Sequence, residues 1–371
     1  MAGIITPIVM PKWGLSMKEG TVTAWLVDEG DDISVGLPIL EVETDKIANA
    51  VEAPDPGTLR RKVAGEGELL PVKALLGVMA DADVSDADID AYIASYVTPS
   101  AEEAEGDAGP AYAWVEVDGH RIRYARRGAA EGTPVLFIHG FGGDLDNWLF
   151  NIDAVGEDLP VIALDLPGHG QSSVKLPGAS IAALADFVAR FLAAINVERV
   201  HAVGHSMGGA IASQLALAHP QRVVSLSLIA SAGLGGEINS GYTEGFAKAA
   251  SRRELKPVLE QLFNDASLVS RQMIDDVLKY KRLDGVEALL LELGGQLFAG
   301  GRQAEQPGLE LESTGKPVLV VWGTDDKIVP AAHAANAPPG ATVERFAGAG
   351  HMVQMEKASE VNRLLRQHVG A

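Results

Sequence analysis

The chain has 371 residues, 47% of them hydrophobic, with a formal net charge of −20 and no cysteine. An excess of 50 acidic over 30 basic side chains disfavours nucleic acid and anionic membrane surfaces as partners, and the missing cysteines remove disulfides, thiolate catalysis and Cys-ligated zinc. The length suits two or three domains; no stretch reaches the roughly 18 apolar residues of a membrane span, and Met1 to Lys18 lacks a basic-then-apolar leader, so a soluble, cytoplasmic protein is expected.

Residues 1–80 read as short strands between turns. Thr21–Val27 and Pro38–Thr44 have strand composition, Glu29-Gly30-Asp31-Asp32 closes the first, and a third strand is expected over Ala48–Ala53. Pro54-Asp55-Pro56-Gly57 is a strong turn. That spacing predicts a small all-β domain.

Between the second and third strands stands Glu43-Thr44-Asp45-Lys46-Ile47. A lysine at a hairpin apex can carry a prosthetic group that swings while the paired strands hold its base. Asp-Lys alone is an ordinary surface turn, so the flanks decide. Met10-Pro11-Lys12-Trp13-Gly14-Leu15-Ser16-Met17-Lys18-Glu19-Gly20, then Gly30-Asp31, the lysine turn, Glu52-Ala53-Pro54 and Gly57 together resemble the lipoyl domains of 2-oxo-acid dehydrogenase complexes. The resemblance covers residues 4–80 and implies a flattened barrel of the biotinyl/lipoyl kind with a lipoyl group on Lys46. Biotin carriers place methionines on both sides of the lysine, whereas Asp45 and Ile47 stand here.

Residues 81–112 change character. Asp81, Asp83, Asp86, Asp88, Asp90, Glu102, Glu103, Glu105 and Asp107 occur without an intervening lysine or arginine. A short helix fits Ile89–Val97; the rest reads as an acidic linker whose ends, as a flexible coil, lie on the order of 30 Å apart.

From residue 113 to 371 strands alternate with helices. Val135–Ile138, Val161–Leu164, Val200–Val203, Val224–Ile229 and Val318–Val321 are near-continuous apolar runs, the mark of parallel strands covered on both faces. Residues 235–305 interrupt the rhythm with helical sequence such as Val258–Phe263 and read as a cap inserted over the sheet.

Gly204-His205-Ser206-Met207-Gly208 joins one of those strands to a small-residue helix over Gly209–Leu217. Gly-x-Ser-x-Gly in that setting is a nucleophile elbow, with Ser206 as nucleophile. His139-Gly140-Phe141-Gly142-Gly143 ends an earlier strand, where the second half of an oxyanion hole belongs. The backbone amides of Phe141 and Met207 are the candidate donors. His351 is the candidate base, and the acid lies between serine and histidine in chain order, at Asp325 or Asp326 in Trp322-Gly323-Thr324-Asp325-Asp326-Lys327. His139, His169 and His205 read as structural or pocket-shaping, and no histidine–carboxylate spacing suggests a metal site.

Residues 113–371 resemble the α/β-hydrolase superfamily, and the resemblance places the acid three residues after Gly323, at Asp326. The whole architecture of lipoyl domain, acidic linker and hydrolase-fold domain is similar to the dihydrolipoyl acetyltransferase components of bacterial acetoin dehydrogenase systems. That resemblance implies acetyl transfer from lipoyl-Lys46 to coenzyme A. It also implies a thiamine-diphosphate-dependent acetoin-cleaving enzyme and a dihydrolipoyl dehydrogenase as partners. The chain departs from the usual lipoyl acyltransferases, whose catalytic domain carries His-x-x-x-Asp-Gly near its C-terminus: His351 is followed by Met-Val-Gln-Met-Glu. Two rival readings stay open: a thioesterase or esterase with a carrier attached, and a carrier and assembly protein whose hydrolase fold is incidental.

Overall fold

The computed structural model describes residues 4–13, 17–44, 48–53, 55–99 and 112–370. The chain divides into two compact units, residues 1–109 and 110–371. Among the described residues no helix is long and apolar enough to cross a membrane.

Among the described residues the first unit has eight strands: β1 (Ile5–Val9), β2 (Glu19–Trp25), β3 (Asp32–Ile33), β4 (Pro38–Glu43), β5 (Ala48–Glu52), β6 (Gly57–Lys62), β7 (Leu69–Pro71) and β8 (Leu75–Ala80). They pair into two antiparallel four-stranded sheets, ordered β1-β8-β6-β3 and β5-β4-β2-β7. Alternation along β4 turns Leu40 and Val42 inward and Glu41 and Glu43 outward. Met10, Val22, Leu40, Val42, Leu59 and Leu76 are wholly buried in one core, each such side chain contributing about 1.5–3 kcal/mol. Gly20 is required where β2 crosses that core, because a Cβ there would stand 2.7 Å from Val42 Cγ1. The strands expected over 21–27, 38–44 and 48–53 are β2, β4 and β5. The last two pair in register from Pro38↔Glu52 to Glu43↔Ala48. Lys46 lies in the sequence between them, outside the described residues.

The stretch read as linker begins with structure. Asp86–Ser95 is a helix, capped by the Ser85 side chain, which accepts from Asp88 N. Its Ile89 is buried with Leu75, Val78 and Ala80 of β8, and Arg60 and Arg61 of β6 pair with Asp86 and Asp90. The acidic run therefore holds an apolar anchor, and the first unit continues past residue 80.

In the second unit the strands are β9 (Ala113–Val117), β10 (His120–Gly128), β11 (Val135–Ile138), β12 (Pro160–Leu164), β13 (Val200–His205), β14 (Val223–Ile229), β15 (Val318–Gly323) and β16 (Thr342–Phe346). They form one sheet ordered β16-β15-β14-β13-β11-β12-β10-β9. β10 runs antiparallel to both neighbours and the other pairings are parallel. All residues of β11, β12 and β15 are buried, as their continuous apolar sequence predicts. β9, β10 and β16 carry too many polar residues for that pattern, being edge or near-edge strands. Helices at Ser240–Lys248, Arg252–Leu259, Arg271–Lys281 and Val286–Leu297 lie between β14 and β15 in the chain, forming the insertion expected over 235–305. From β11 the chain leaves to β12 on one side, and β13 sits on the other. This reversal opens a crevice at the carboxyl ends of β11 and β13, the usual place for a ligand in such sheets.

Candidate active site

Both glycines of the elbow are sterically required. A Cβ on Gly204 would stand 2.2 Å from Gly208 O, and one on Gly208 would stand 2.1 Å from Ile138 O. Between them Ser206 takes φ 53° and ψ −120°, a conformation that an L-residue holds only when its surroundings enforce it. Here Ser206 N donates to Ile229 O at 3.0 Å, while Ser206 O accepts from Gly209 N and Ala232 N. The serine makes no side-chain cap to the helix it begins, Met207–Ala218. The positive end of that helix starts at the next residue.

The candidate acid and base follow the carboxyl ends of β15 and β16. His351 Nδ1 lies 2.8 Å from Asp326 Oδ2, and both side chains are buried. Asp326 Oδ1 accepts from Ile328 N (2.8 Å) and Val329 N (3.0 Å), and Oδ2 also accepts from Trp322 Nε1 at 3.0 Å. With the carboxylate so fixed as acceptor, the imidazole proton belongs on Nδ1 and the Nε2 lone pair is left for a substrate proton. Asp325 does something else. Its carboxylate accepts from Gly348 N at 3.0 Å and Thr324 Oγ1 at 2.9 Å, bracing the loop that precedes the base.

His205, next to the nucleophile, meets that loop from below. Its Nε2 lies 3.0 Å from His351 O, and the two rings are 4.6 Å apart. Burial holds its pKa well below the ordinary value, so it stays neutral beside His351. Among the described residues no hydrogen bond joins Ser206 to His351 directly; in free enzymes this contact tightens on binding substrate.

The loop after β11 packs on the serine, since a Cβ on Gly140 would lie 3.1 Å from Ser206 Cβ. His139 secures it. Its Nδ1 donates to Gly140 O (2.8 Å) and its Nε2 accepts from Leu166 N (3.0 Å), the pattern of a neutral ring, and burial lowers its pKa to about 4. The amides of Phe141 and Met207 donate to no acceptor among the described residues. They are unengaged donors on the two loops that flank Ser206, as an oxyanion hole requires.

Above this loop the cap supplies an aromatic wall. The Phe141 ring packs edge-on against Phe246 and Phe298, each 6.1 Å away between centroids. Gly142 has no room for a side chain, because its Cβ would stand 2.3 Å from Phe246 Cε1. Tyr280 Oη donates to Gly168 O at 2.6 Å, and Lys281 Nζ donates to Phe246 O and to Ala247 O. Sequence reasoning named none of Phe246, Phe298 or Tyr280, and quoted Trp322 only as the first residue of the acid's motif, with no role of its own.

The comparisons with known proteins bear on the two units. The α/β-hydrolase-fold family matches residues 133–358, and the family of biotin-requiring enzymes matches residues 6–79. The chain is 66% identical to the dihydrolipoyllysine-residue acetyltransferase component of the acetoin cleaving system of Cupriavidus necator, over 99% of this chain and 98% of that protein. The chain belongs to this family of acetyltransferase components. Its similarity to the Pseudomonas putida component is 48% identity over 98% of this chain and 99% of that one. Both units are therefore a family property. Among solved structures, a meta-cleavage product hydrolase of Pseudomonas fluorescens superposes with TM-score 0.63 at 24% identity, covering 70% of this chain and 97% of that one. A bacterial membrane phospholipase A gives 0.62 at 28%, covering 71% and 86%. These likenesses establish the fold of the second unit.

Proposed function

We propose that this chain transfers an acetyl group from a lipoyl thioester on Lys46 to coenzyme A, with Ser206 as the acyl carrier in between. The observation that carries the reading is the Asp326–His351 pair at the sheet edge that also presents Ser206, in a chain whose other unit is a carrier. Of the described residues on either side of the lysine segment, Glu43 and Ala48 are exposed and Thr44 is half-buried. A bound lipoyl group would supply a thioester on a swinging arm. The acidic linker keeps carrier and pocket on one chain, which raises their effective concentration without tight contacts.

In the reaction Ser206 Oγ attacks the thioester carbonyl as His351 Nε2 takes its proton. The amides of Phe141 and Met207 donate to the oxyanion, where one such bond is worth about 2.7–4 kcal/mol of barrier. His351 would return that proton to the departing sulfur, and Ser206 would be left holding the acetyl group. The thiol of coenzyme A then loses its proton to His351 and attacks the acetyl-serine, restoring Ser206 and forming acetyl-CoA. Asp326 holds the imidazole in the productive tautomer in both halves. The partners that fit are a thiamine-diphosphate-dependent acetoin-cleaving enzyme, which loads the arm, and a dihydrolipoyl dehydrogenase, which reoxidises it, in a soluble cytoplasmic complex.

Hydrolysis is the specific rival, favoured by the fold shared with hydrolases and by the missing His-x-x-x-Asp-Gly motif. Acetyl-loaded chain given coenzyme A in water separates the two. Mainly acetyl-CoA, above a thiol-exchange control without enzyme, is the expected product; mainly acetate makes the protein a thioesterase.

A further inference from the structure

Three backbone N–H groups converge on one carboxylate beside the base. Glu356 Oε2 accepts from Gly350 N at 2.6 Å, the residue before His351. Its Oε1 accepts from Asn264 N at 2.8 Å and from Asp265 N at 3.3 Å, both in the cap insertion. The two backbones run so close that a Cβ on Gly350 would stand 2.7 Å from Asn264 N. More bonds follow the same seam: Met352 N donates to Leu262 O at 3.0 Å, and Asn264 Nδ2 donates to Gly348 O at 3.3 Å. On the acid's side Lys327 Nζ donates to Phe263 O at 3.4 Å, and Asn239 Nδ2 donates to Lys327 O at 3.0 Å. The cap stretch 262–265 is thus fastened to the loops of both His351 and Asp326.

We propose that Glu356 is a positioning residue for the base, its carboxylate tying the His351 loop to the cap so that the seat of the cap sets the place of His351 Nε2 over Ser206. The inference rests on the triad reading above and adds its control by the cap. Glu356 is the only side chain in the seam that accepts from both backbones among the described residues. A partly buried carboxylate is tolerable there because three donors satisfy it. Glutamine offers one acceptor oxygen and turns an NH2 toward an N–H, so it cannot serve both sides. Aspartate is one methylene too short to span them. Loss of the tie leaves Asp326 hydrogen-bonded to His351 but removes the Gly350 link to the cap, leaving the loop held there only by the Met352–Leu262 and Asn264–Gly348 bonds among the described residues.

The test uses the full chain and compares wild type with Glu356→Gln and Glu356→Asp. Three quantities are read: the rate at which a fluorophosphonate labels Ser206, kcat and KM for p-nitrophenyl acetate, and the melting temperature. Misplacing a catalytic group by about 1 Å costs about 100-fold, so labelling rate and kcat should fall by about 10- to 100-fold in folded Glu356→Gln. KM should change by less than about twofold, since substrate binding is untouched. Asn264→Ala, which removes only the Gly348 bond, should lower labelling in the same direction and by less. A folded Glu356→Gln that labels at the wild-type rate overturns the proposal alone; should that variant not fold, an unchanged rate in Asn264→Ala does so. Failure of the wild-type chain to label at Ser206 overturns the triad reading and this proposal together.

Discussion

In the carrier unit the residue proposed to carry the arm is one lysine that lies in sequence between β4 and β5, strands that pair with each other. In the hydrolase unit the candidate site is built from segments after β11, β13, β15 and β16, with His205 touching the His351 carbonyl 146 positions along the chain. The first kind of site needs a hairpin and an exposed tip. The second needs a completed sheet, because only strand order brings those loops to one edge. The titrating chemistry divides the same way: all nine histidines fall between residues 120 and 368, and the carrier unit has none. A swinging arm calls for no proton relay from its base, whereas acyl transfer calls for a neutral base and neighbours that do not compete with it for protons.

The largest effects should come from uncoupling the two units by single substitutions. Ser206→Ala should lower acetyl transfer and ester turnover by about 10⁴-fold or more, while intact-mass measurement still finds a lipoyl adduct on Lys46. Lys46→Arg should do the reverse, losing the adduct and all carrier-dependent transfer while leaving p-nitrophenyl acetate turnover as in wild type. If Lys46→Arg also abolishes small-ester turnover, the division of labour drawn here is wrong.

Proton linkage should separate the units next. His139 titrates at about 4 in the folded chain because it is buried, against an ordinary value near 6.5 when unfolded. Between those values the unfolded state binds the extra proton, so this contribution to stability is complete above about pH 6.5 and is lost as the pH falls toward 4. Asp144 shifts the other way, raised to about 8 chiefly by burial and then by Asp146 and Asp165, so the clean readout is a difference. Denaturant unfolding of the hydrolase unit should show the stability of His139→Gln rising relative to wild type by about 2–3 kcal/mol between pH 6.5 and 4.5. The transition of the carrier unit should be the same in both proteins. An unchanged difference across that range would mean that His139 is not held neutral.

The smallest effects test close approach against open space. Gly208→Ala forces a Cβ toward Ile138 O and should destabilise the hydrolase unit by about 1–3 kcal/mol. Gly295→Ala, in the interior of the helix Val286–Leu297 with nothing within 4 Å of the added Cβ, should stabilise it by about 0.5–1 kcal/mol. Equal melting temperatures for the two variants would refute the steric account of the elbow.

Much of this protein is legible without a structure. The turn around Ser206, the chain order of serine, acid and histidine, and the apolar runs of β11 to β15 are local patterns, set by backbone sterics and by burial on both faces. The pairing of β4 with β5, on either side of Lys46 in the sequence, is local in the same sense. Other features left no local trace. Asp325 and Asp326 are adjacent acids in one turn, and only the position of His351 across the sheet edge gives Asp326 the triad bond and Asp325 the brace to Gly348. A short helix over Ile89–Val97 is legible in the acidic run, but not that it starts at Asp86 or that buried Ile89 anchors it on β8. Phe246, Phe298 and Glu356 carry no motif at all. Strands, turns and the elbow can be read from the residues alone, since they depend on neighbours a few positions apart. Which acid serves, which rings wall the pocket and which carboxylate ties cap to base depend on the folded arrangement, because Glu356 meets Asn264 across 92 residues only once the sheet and its cap have closed around them.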